Sequence, residues 1–254
     1  ARFRSELFDS CAPFWLRYGR DRVNGGVTNC LDRYGAIYST DKSVWMQGRT
    51  AWTYSYLCNT FGKNEEYLAF AKSCLDFENA HCFDRDGRMF FTVTADGHPL
   101  RKRRYVFSES FAAIAMAEYA KASGNMEYAR KALALFKEIR KFVATPGYME
   151  PKYLPALQAK GHSIVMILIN TASRIREVID DPVLDLQINE SLESLKDFMK
   201  EEFKALLEMV GPNGEFIDTC NGRVINPGHC IETAWFLLEE GIYRNDAALK
   251  DFAK

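Results

Sequence analysis

The sequence predicts an all-α protein made of successive helical hairpins, arranged as a toroid or solenoid, with short β-strands in the loops. Apolar residues recur at the three- and four-residue spacing of helices along most of the 254-residue chain. A helix–turn–helix pattern also recurs, because the turns at 61–67 and 123–128 have similar sequences and lie about 60 residues apart. Repeats of this kind are typical of stacked helical hairpins. We therefore expect a single domain over residues 1–254.

The first hairpin is predicted from an apolar helix face that ends at a glycine. Trp52 and Phe61 belong to this face, and Gly62 follows as a stop signal. The helical spacing then resumes at 65–77. These two segments form the first predicted pair of helices.

The second hairpin follows a loop that carries its own turn chemistry. The loop at 84–97 contains DRDG and ADG turn signals around the apolar stretch at 89–93, which predicts a short strand. Helical spacing returns at 110–122 and again at 127–142. The order of the first hairpin is thus repeated.

The third and fourth hairpins are less regular. A strongly apolar helix is predicted at 162–179, where Pro182 and the two aspartates before it end the pattern. A long amphipathic helix is predicted at 187–208, followed by the turn Gly-Pro-Asn-Gly at 211–214. The segment 229–240 begins a fourth pair.

Length and composition exclude several functional classes. A net charge of −1 gives no electrostatic basis for nucleic acid or an anionic membrane as the main partner. No apolar stretch approaches the roughly 20 residues of a membrane span, and the first residues lack the apolar region of a signal peptide. The sequence does not begin with Met, so we expect residues upstream. The seven cysteines have no CxxC spacing, which predicts reduced thiols in a cytoplasmic protein.

The segment 226–235, NPGHCIETAW, carries the strongest candidate for a catalytic group. Asn-Pro-Gly predicts a turn, so a helix begins there and His229 lies in its first turn. A helix N-terminus disfavours a charged imidazolium, which leaves a neutral imidazole able to act as a base near pH 7. Glu232 lies three residues later on the same face. The alternative is a structural cap in which Glu232 bonds back to the turn.

Arg49 lies between two tryptophans, Trp45 and Trp52, just before the predicted first helix. Aromatic rings beside a cation suit a sugar pocket, because the apolar face of a sugar stacks on tryptophan while its hydroxyl groups bond to charged groups. The alternative is that Arg49 lies between helices and pairs with a carboxylate.

Glu109 and His162 are each predicted to open a helix. An acid there can simply stabilise the helix N-terminus, and a lone histidine there is commonly structural. With Arg49 and His229, these residues occupy the starts of successive hairpins, which converge on one mouth of a ring of hairpins. We therefore expect one site built from all four. The sequence has no zinc-type spacing and no nucleotide-binding loop, so it predicts no metal and no cofactor.

Three segments resemble the N-acylglucosamine 2-epimerase family: WMQGR at 45–49, FSESF at 107–111 and, most specifically, NPGHCIE at 226–232. That family includes N-acetylglucosamine 2-epimerases, cellobiose 2-epimerases and aldose–ketose isomerases. The resemblance implies an (α/α)6 barrel that acts on a small free sugar. It also allows a homodimer and, as in some members, ATP as an activator rather than a cofactor.

The resemblance further implies a mechanism and a role for each matching residue. After the sugar ring opens, one histidine removes the proton at C2 to give a cis-enediolate, and a second histidine returns a proton on the opposite face. By this resemblance His229 is the first histidine, Glu232 supports it or binds hydroxyl groups, and Arg49 stabilises the enediolate. The residues expected to bind substrate are Trp45, Trp52, Glu109, Lys160 and His162.

Two departures from the family pattern sharpen the expectation. A six-pair barrel exceeds the four pairs predicted here, so we expect a partial barrel with the second histidine and a further acid outside it. Ile164 stands where cellobiose epimerases and isomerases carry a histidine, and the context of Lys160 is closer to the N-acylglucosamine epimerases. This favours a 2-epimerase of N-acylglucosamine and N-acylmannosamine. An aldose–ketose isomerase, a cellobiose-type 2-epimerase and a non-catalytic helical-toroid binding protein are the alternatives.

Overall fold

The computed structural model describes residues 2–103, 105–149 and 156–254, and the chain divides into two compact units, Ala1–Met149 and Glu150–Lys254. The first unit opens with a helical segment in which α and π turns alternate: α1 (Arg2–Ser5), a π turn (Glu6–Cys11), α2 (Ala12–Phe14) and a second π turn (Trp15–Gly19). An antiparallel pair of strands follows, β1 (Cys30–Leu31) and β2 (Ile37–Ser39).

Two helical hairpins and a small sheet make up the rest of the first unit. In chain order the elements are β3 (Lys42–Ser43), α3 (Val44–Phe61), α4 (Glu65–His81), β4 (Phe90–Val93), β5 (Pro99–Lys102), α5 (Phe107–Ser123) and α6 (Met126–Ala144). The three strands form an antiparallel sheet in the order β3-β4-β5. The side chains of Asn64 and Asn125 accept backbone N–H bonds at the starts of α4 and α6, which explains why each hairpin turns there.

Helix α5 is buried on nearly all sides, because it packs against α3, α4 and α6. Small side chains allow neighbouring helices to approach it closely. These are Ala112, Ala113, Ala115, Ala117 and Ala120. The approach of α3 also requires Gly48, since a Cβ there would lie 2.9 Å from the carbonyl carbon of Phe111.

The second unit contains two further helix pairs joined by short strands. In chain order they are β6 (Lys160–Gly161), α7 (His162–Arg176), α8 (Pro182–Leu195), β7 (Met199–Lys200), β8 (Ala205–Leu206), β9 (Met209–Val210), α9 (Pro227–Tyr243) and α10 (Ala247–Phe252). Strand β6 pairs with β9, and β7 pairs with β8, both antiparallel. Ile169, Leu195, Phe198 and Phe236 belong to the core that joins these elements.

The predicted order of helical hairpins is confirmed, but two boundaries are wrong. The helix expected at 187–208 ends at Leu195, and the chain then forms the β7–β8 hairpin, whose turn includes Lys204 at a φ of 47°. Phe198 is fully buried in the core, so packing rather than helical spacing decides the path there. The first predicted helix corresponds to α3, which begins at Val44. Arg49 therefore lies in the second turn of this helix instead of before it.

None of the helices in the described part of the chain is long and apolar enough to cross a membrane.

Candidate functional site

The start of α9 presents His229 to a carboxylate from another segment. The side chain of Asn226 accepts hydrogen bonds from the backbone N–H groups of Gly228 (3.0 Å) and His229 (3.4 Å), and Pro227 occupies the first helical position. The predicted turn and helix start are therefore confirmed. The Nδ1 atom of His229 lies 2.7 Å from Oε1 of Glu208.

Both backbone polar groups of Glu208, its N–H and its carbonyl, are hydrogen-bonded. It lies between β8 and β9, its N–H donates to the carbonyl of Val224 (3.0 Å), and its carbonyl accepts from the N–H of His162 (3.1 Å). These bonds hold the backbone of Glu208 beside the starts of α7 and α9. The carboxylate therefore reaches His229 from a fixed position.

A second imidazole lies behind the same carboxylate. The side chain of His162 is fully buried, with Nδ1 3.8 Å from Oε1 of Glu208 and Nε2 3.0 Å from Oγ1 of Thr233. The rings of His162 and His229 have centroids 6.4 Å apart. Thr233, His162, Glu208 and His229 thus form a continuous polar row in the second unit.

The electrostatics favour an ionised Glu208. Partial burial by itself would raise the pKa of Glu208, but the imidazoles of His162 and His229 lower this pKa below its ordinary value. An ionised carboxylate accepts hydrogen bonds only, so Nδ1 of His229 is the donor, and in the neutral imidazole Nε2 carries the lone pair. The side chains of His229 and Glu208 are 34% and 18% exposed, so this pair can be reached from solvent.

Two other predicted residues of this unit lie apart from that row of contacts. Lys160 forms an ion pair with Asp197 and lies 5.9 Å from the centre of the Phe198 ring. Glu232 is half-buried, and its side chain makes no hydrogen bond or ion pair with any residue the structure describes. Asn226, not Glu232, caps the helix, so the capping alternative for Glu232 is wrong.

In the first unit, Arg49 is exposed and its guanidinium carbon lies 4.3 Å from the centre of the Phe111 ring. It makes no ion pair within the described ranges, so the alternative of a paired interhelical arginine finds no support. Arg49 also lines a cavity of about 200 Å³, whose other walls include Trp15, Asn29, Met46 and Tyr54. An unpaired guanidinium at a cavity is suited to binding oxygen-rich ligands.

The remaining predicted residues of the first unit are engaged in packing. Trp45 donates from Nε1 to Oγ of Ser108 (2.9 Å), and Trp52 stacks on Tyr56 with ring centroids 4.8 Å apart. Glu109 is fully buried, where Oε1 accepts from Nε of Arg88 (2.7 Å) and from the N–H of Met89 (2.8 Å). Full burial gives Glu109 and His162 no surface for a sugar, so their roles as sugar contacts stay predictions.

Glu208 is the residue that sequence reasoning missed. Helical spacing places it at the end of a long helix, although it interrupts the apolar run at 205–210 just before the turn at 211–214. Such a run before a turn signal is typical of a short strand. An acid within a largely buried strand needs a partner, and this signal could have drawn attention to Glu208.

Comparison with known proteins places these features in a family. The family model described as N-acylglucosamine 2-epimerase (GlcNAc 2-epimerase) matches residues 25–254. The chain belongs to the N-acylglucosamine 2-epimerase family. All three segments of the polar row lie inside the matched range.

Individual relatives agree with this membership. The chain is 30% identical over 256 residues to the N-acylglucosamine 2-epimerase of Rattus norvegicus, covering 95% of this chain and 60% of that protein. It is 33% identical over 144 residues to a cellobiose 2-epimerase of Ruminococcus albus, covering 56% of this chain and 36% of the relative. The chain therefore spans about 60% of the length of the rat epimerase.

The solved structure of a cellobiose 2-epimerase from Bacillus thermoamylovorans shares the fold. It aligns with a TM-score of 0.87 at 20% identity, over 99% of this chain and 69% of that chain. That structure is an (α/α)6 barrel. The fold class predicted for this chain, a toroid of helical hairpins of the (α/α)6 type, is therefore confirmed.

Proposed function

We propose that this chain is part of a sugar 2-epimerase that interconverts N-acylglucosamine and N-acylmannosamine, with His229 as the base that removes the C2 proton. The observation that carries the proposal is the 2.7 Å bond between Nδ1 of His229 and Glu208. This bond leaves the lone pair of Nε2 free at a partly exposed position. Membership of the N-acylglucosamine 2-epimerase family supplies the substrate class.

The chemistry requires the open-chain sugar, in which C1 is an aldehyde. Nε2 of His229 takes the proton from C2, the C–H electron pair forms the C1–C2 double bond, and the carbonyl oxygen gains the negative charge. The imidazolium that results is stabilised by the carboxylate of Glu208, in the way a buried acid supports a histidine base. Return of a proton to the opposite face of C2 inverts the centre.

The role of Arg49 in stabilising the enediolate stays a prediction from the family resemblance. Within the first unit, Arg49 has an exposed guanidinium without an ion-pair partner in the described ranges, beside a cavity. Fixed positive charge placed where negative charge develops is a large contribution in many enzymes. Roles for Glu232, Lys160 and the tryptophans stay predictions.

The test is exchange of the C2 proton of N-acetylmannosamine in D2O, followed by NMR. We expect loss of the C2 proton signal with the unmodified protein and at least a 100-fold slower loss with His229→Gln. The control is His98→Gln, because the His98 side chain is 79% exposed and lies outside the polar row. Equal exchange rates for His229→Gln and the unmodified protein would exclude His229 as the base.

A cellobiose-type 2-epimerase is the second candidate, since a named cellobiose 2-epimerase is 33% identical to part of this chain. The same proton removal serves both sugars and an aldose–ketose isomerase as well. Product analysis with N-acetylglucosamine, cellobiose and mannose as separate substrates distinguishes the three. A folded protein that exchanges none of them would favour the non-catalytic binding alternative.

The cytoplasmic location, the homodimer and activation by ATP stay predictions. All seven cysteines are free in this structure, and three of them, Cys58, Cys74 and Cys82, are buried. Burial raises the pKa of the Cys58 and Cys74 thiols, which makes these two chemically inert. Such thiols are compatible with a reducing compartment.

A further inference from the structure

Three metal-ligand side chains from separate segments of the second unit lie together. The donor atoms of His162, Glu208 and His229 are all within 4.8 Å of one another. Two imidazoles and one carboxylate are a donor set that Zn²⁺ and related divalent transition metals prefer. Sequence spacing did not predict this set, because 46 residues separate the first donor from the second.

The buried imidazole provides an independent observation. Nδ1 of His162 is buried and has no hydrogen-bond partner among the residues that the structure describes, although it lies 3.8 Å from Oε1 of Glu208. When Nε2 donates to the Thr233 hydroxyl oxygen at 3.0 Å, Nδ1 carries a lone pair that faces the carboxylate. A cation bound between Nδ1 of His162 and the Glu208 carboxylate would give this buried nitrogen a partner.

The surroundings also resemble those of a metal ligand. A metal-bound imidazole usually bonds its other ring nitrogen to a second group, which is what Thr233 offers to His162. The backbone bonds from Glu208 to Val224 and His162 hold the carboxylate in place.

We propose that His162, Glu208 and His229 form a binding site for Zn²⁺ or a similar divalent transition metal. Ligand atoms of tetrahedral zinc lie about 3.4 Å apart, as follows from bonds of about 2.0–2.1 Å. The separation of His162 and Glu208, 3.8 Å, is near this value. The His229–Glu208 contact of 2.7 Å must widen by somewhat less than 1 Å, which a partly exposed imidazole allows.

Binding of the metal changes the state of His229. Nδ1 of His229 bonds to the metal after its proton moves to Nε2, so the imidazole remains neutral and no net charge is lost. The fourth metal position faces solvent, since His229 and Glu208 are both partly exposed. If the proposed function holds, the metal inhibits proton exchange, because Nε2 then has no free lone pair; metal binding itself does not depend on that function.

The test is a titration of the metal-free chain with Zn²⁺ alone, monitored by calorimetry. A parallel titration with Co²⁺ is monitored by visible absorption. We expect one Zn²⁺ per chain and a tetrahedral Co²⁺ spectrum. Glu208→Gln, which is nearly isosteric, and His162→Gln should each weaken binding at least 10-fold. The matched control His98→Gln should leave the affinity unchanged, because that exposed histidine lies outside the site.

Three results would overturn the metal site. They are an absence of Zn²⁺ binding, an unchanged affinity in a folded Glu208→Gln variant, and a thiolate charge-transfer band that assigns Co²⁺ to the exposed Cys11 or Cys220. Should His162→Gln fail to fold, Glu208→Gln decides. Site-specific Zn²⁺ binding without inhibition of exchange would contradict the proposed base while leaving the metal site intact.

Discussion

Glu109 in the first unit and Glu208 in the second are both bonded to a basic side chain, yet their surroundings are opposite. Glu109 pairs with Arg88 at 2.7 Å where the two side chains are 0% and 5% exposed. Glu208 pairs with His229 at the same distance where the side chains are 18% and 34% exposed. The residue type and the length of the bond are alike, but access from solvent is not.

The basic partner makes the second difference. An arginine does not lose its proton in a protein, so the Arg88–Glu109 pair serves to hold α5 beside Met89, the residue that precedes β4. A histidine gains and loses a proton near neutral pH, so the His229–Glu208 pair can take part in proton transfer. A carboxylate that supports proton transfer therefore needs a partner that can gain and lose a proton, and it needs access to solvent. Glu208 has both.

The largest expected effect is on activity at Glu208. Glu208→Gln should slow C2 exchange by about 10²–10⁴-fold, because an amide neither stabilises the imidazolium of His229 nor fixes its tautomer. NMR of exchange in D2O measures it. Glu215→Gln, an exposed change on the following loop, is the control and should keep the rate. An exchange rate of Glu208→Gln within threefold of that of the unmodified protein would mean that Glu208, like Glu109, has a structural role only.

The next effect is on stability at Glu109. Glu109→Gln should lower the free energy of unfolding by about 3–5 kcal/mol, because the charge of Arg88 then stays buried without its partner. Urea denaturation followed by circular dichroism measures the change. The double variant Arg88→Met with Glu109→Gln should lose less than the sum of the single changes. A loss below about 1 kcal/mol for Glu109→Gln would contradict the structural role assigned to this pair.

Glu78 extends the comparison to a buried acid that has no basic partner within the described part of the chain. It is fully buried, and burial raises the pKa of its carboxyl well above the ordinary 4.5, more than the Gly48 backbone amide lowers it. The folded state therefore keeps the proton that the unfolded state releases above pH 4.5. The free energy of unfolding should fall as pH rises above this value, by up to about 1.4 kcal/mol per pH unit from this group.

Glu78→Gln tests this dependence, because an amide carries no such proton. Urea unfolding from pH 5 to 8 should show a shallower loss of stability in the variant than in the unmodified protein. Parallel pH profiles for the two proteins would mean that Glu78 is ionised in the folded state.

The smallest effect is expected for an exposed pair. Asp76 bonds to Lys72 one helical turn away at 2.6 Å, where both side chains are half-exposed. Asp76→Asn should change the free energy of unfolding by less than about 0.5 kcal/mol, because water screens the pair. Thermal or urea unfolding measures this change. A loss of unfolding free energy above about 1.5 kcal/mol would show that the exposure of a carboxylate does not predict how much it contributes to stability.

Local sequence determined the helical hairpins and their turns. Periodic apolar residues define the helix faces, and the caps at Asn64, Asn125 and Asn226 are local hydrogen bonds within three residues of their acceptors. For this reason the first turn of α9 and the place of His229 in it were predicted correctly. The family resemblance rested on the same local segments.

Tertiary structure alone decided which groups meet. Glu208 reaches His229 across 21 residues and His162 meets Thr233 across 71, and no spacing rule connects such distant positions. The end of α8 at Leu195 was likewise set by the burial of Phe198 and not by helical spacing. The sequence by itself thus determined the elements and the candidate base, whereas the partner of that base depends on long-range packing, which local propensity does not contain.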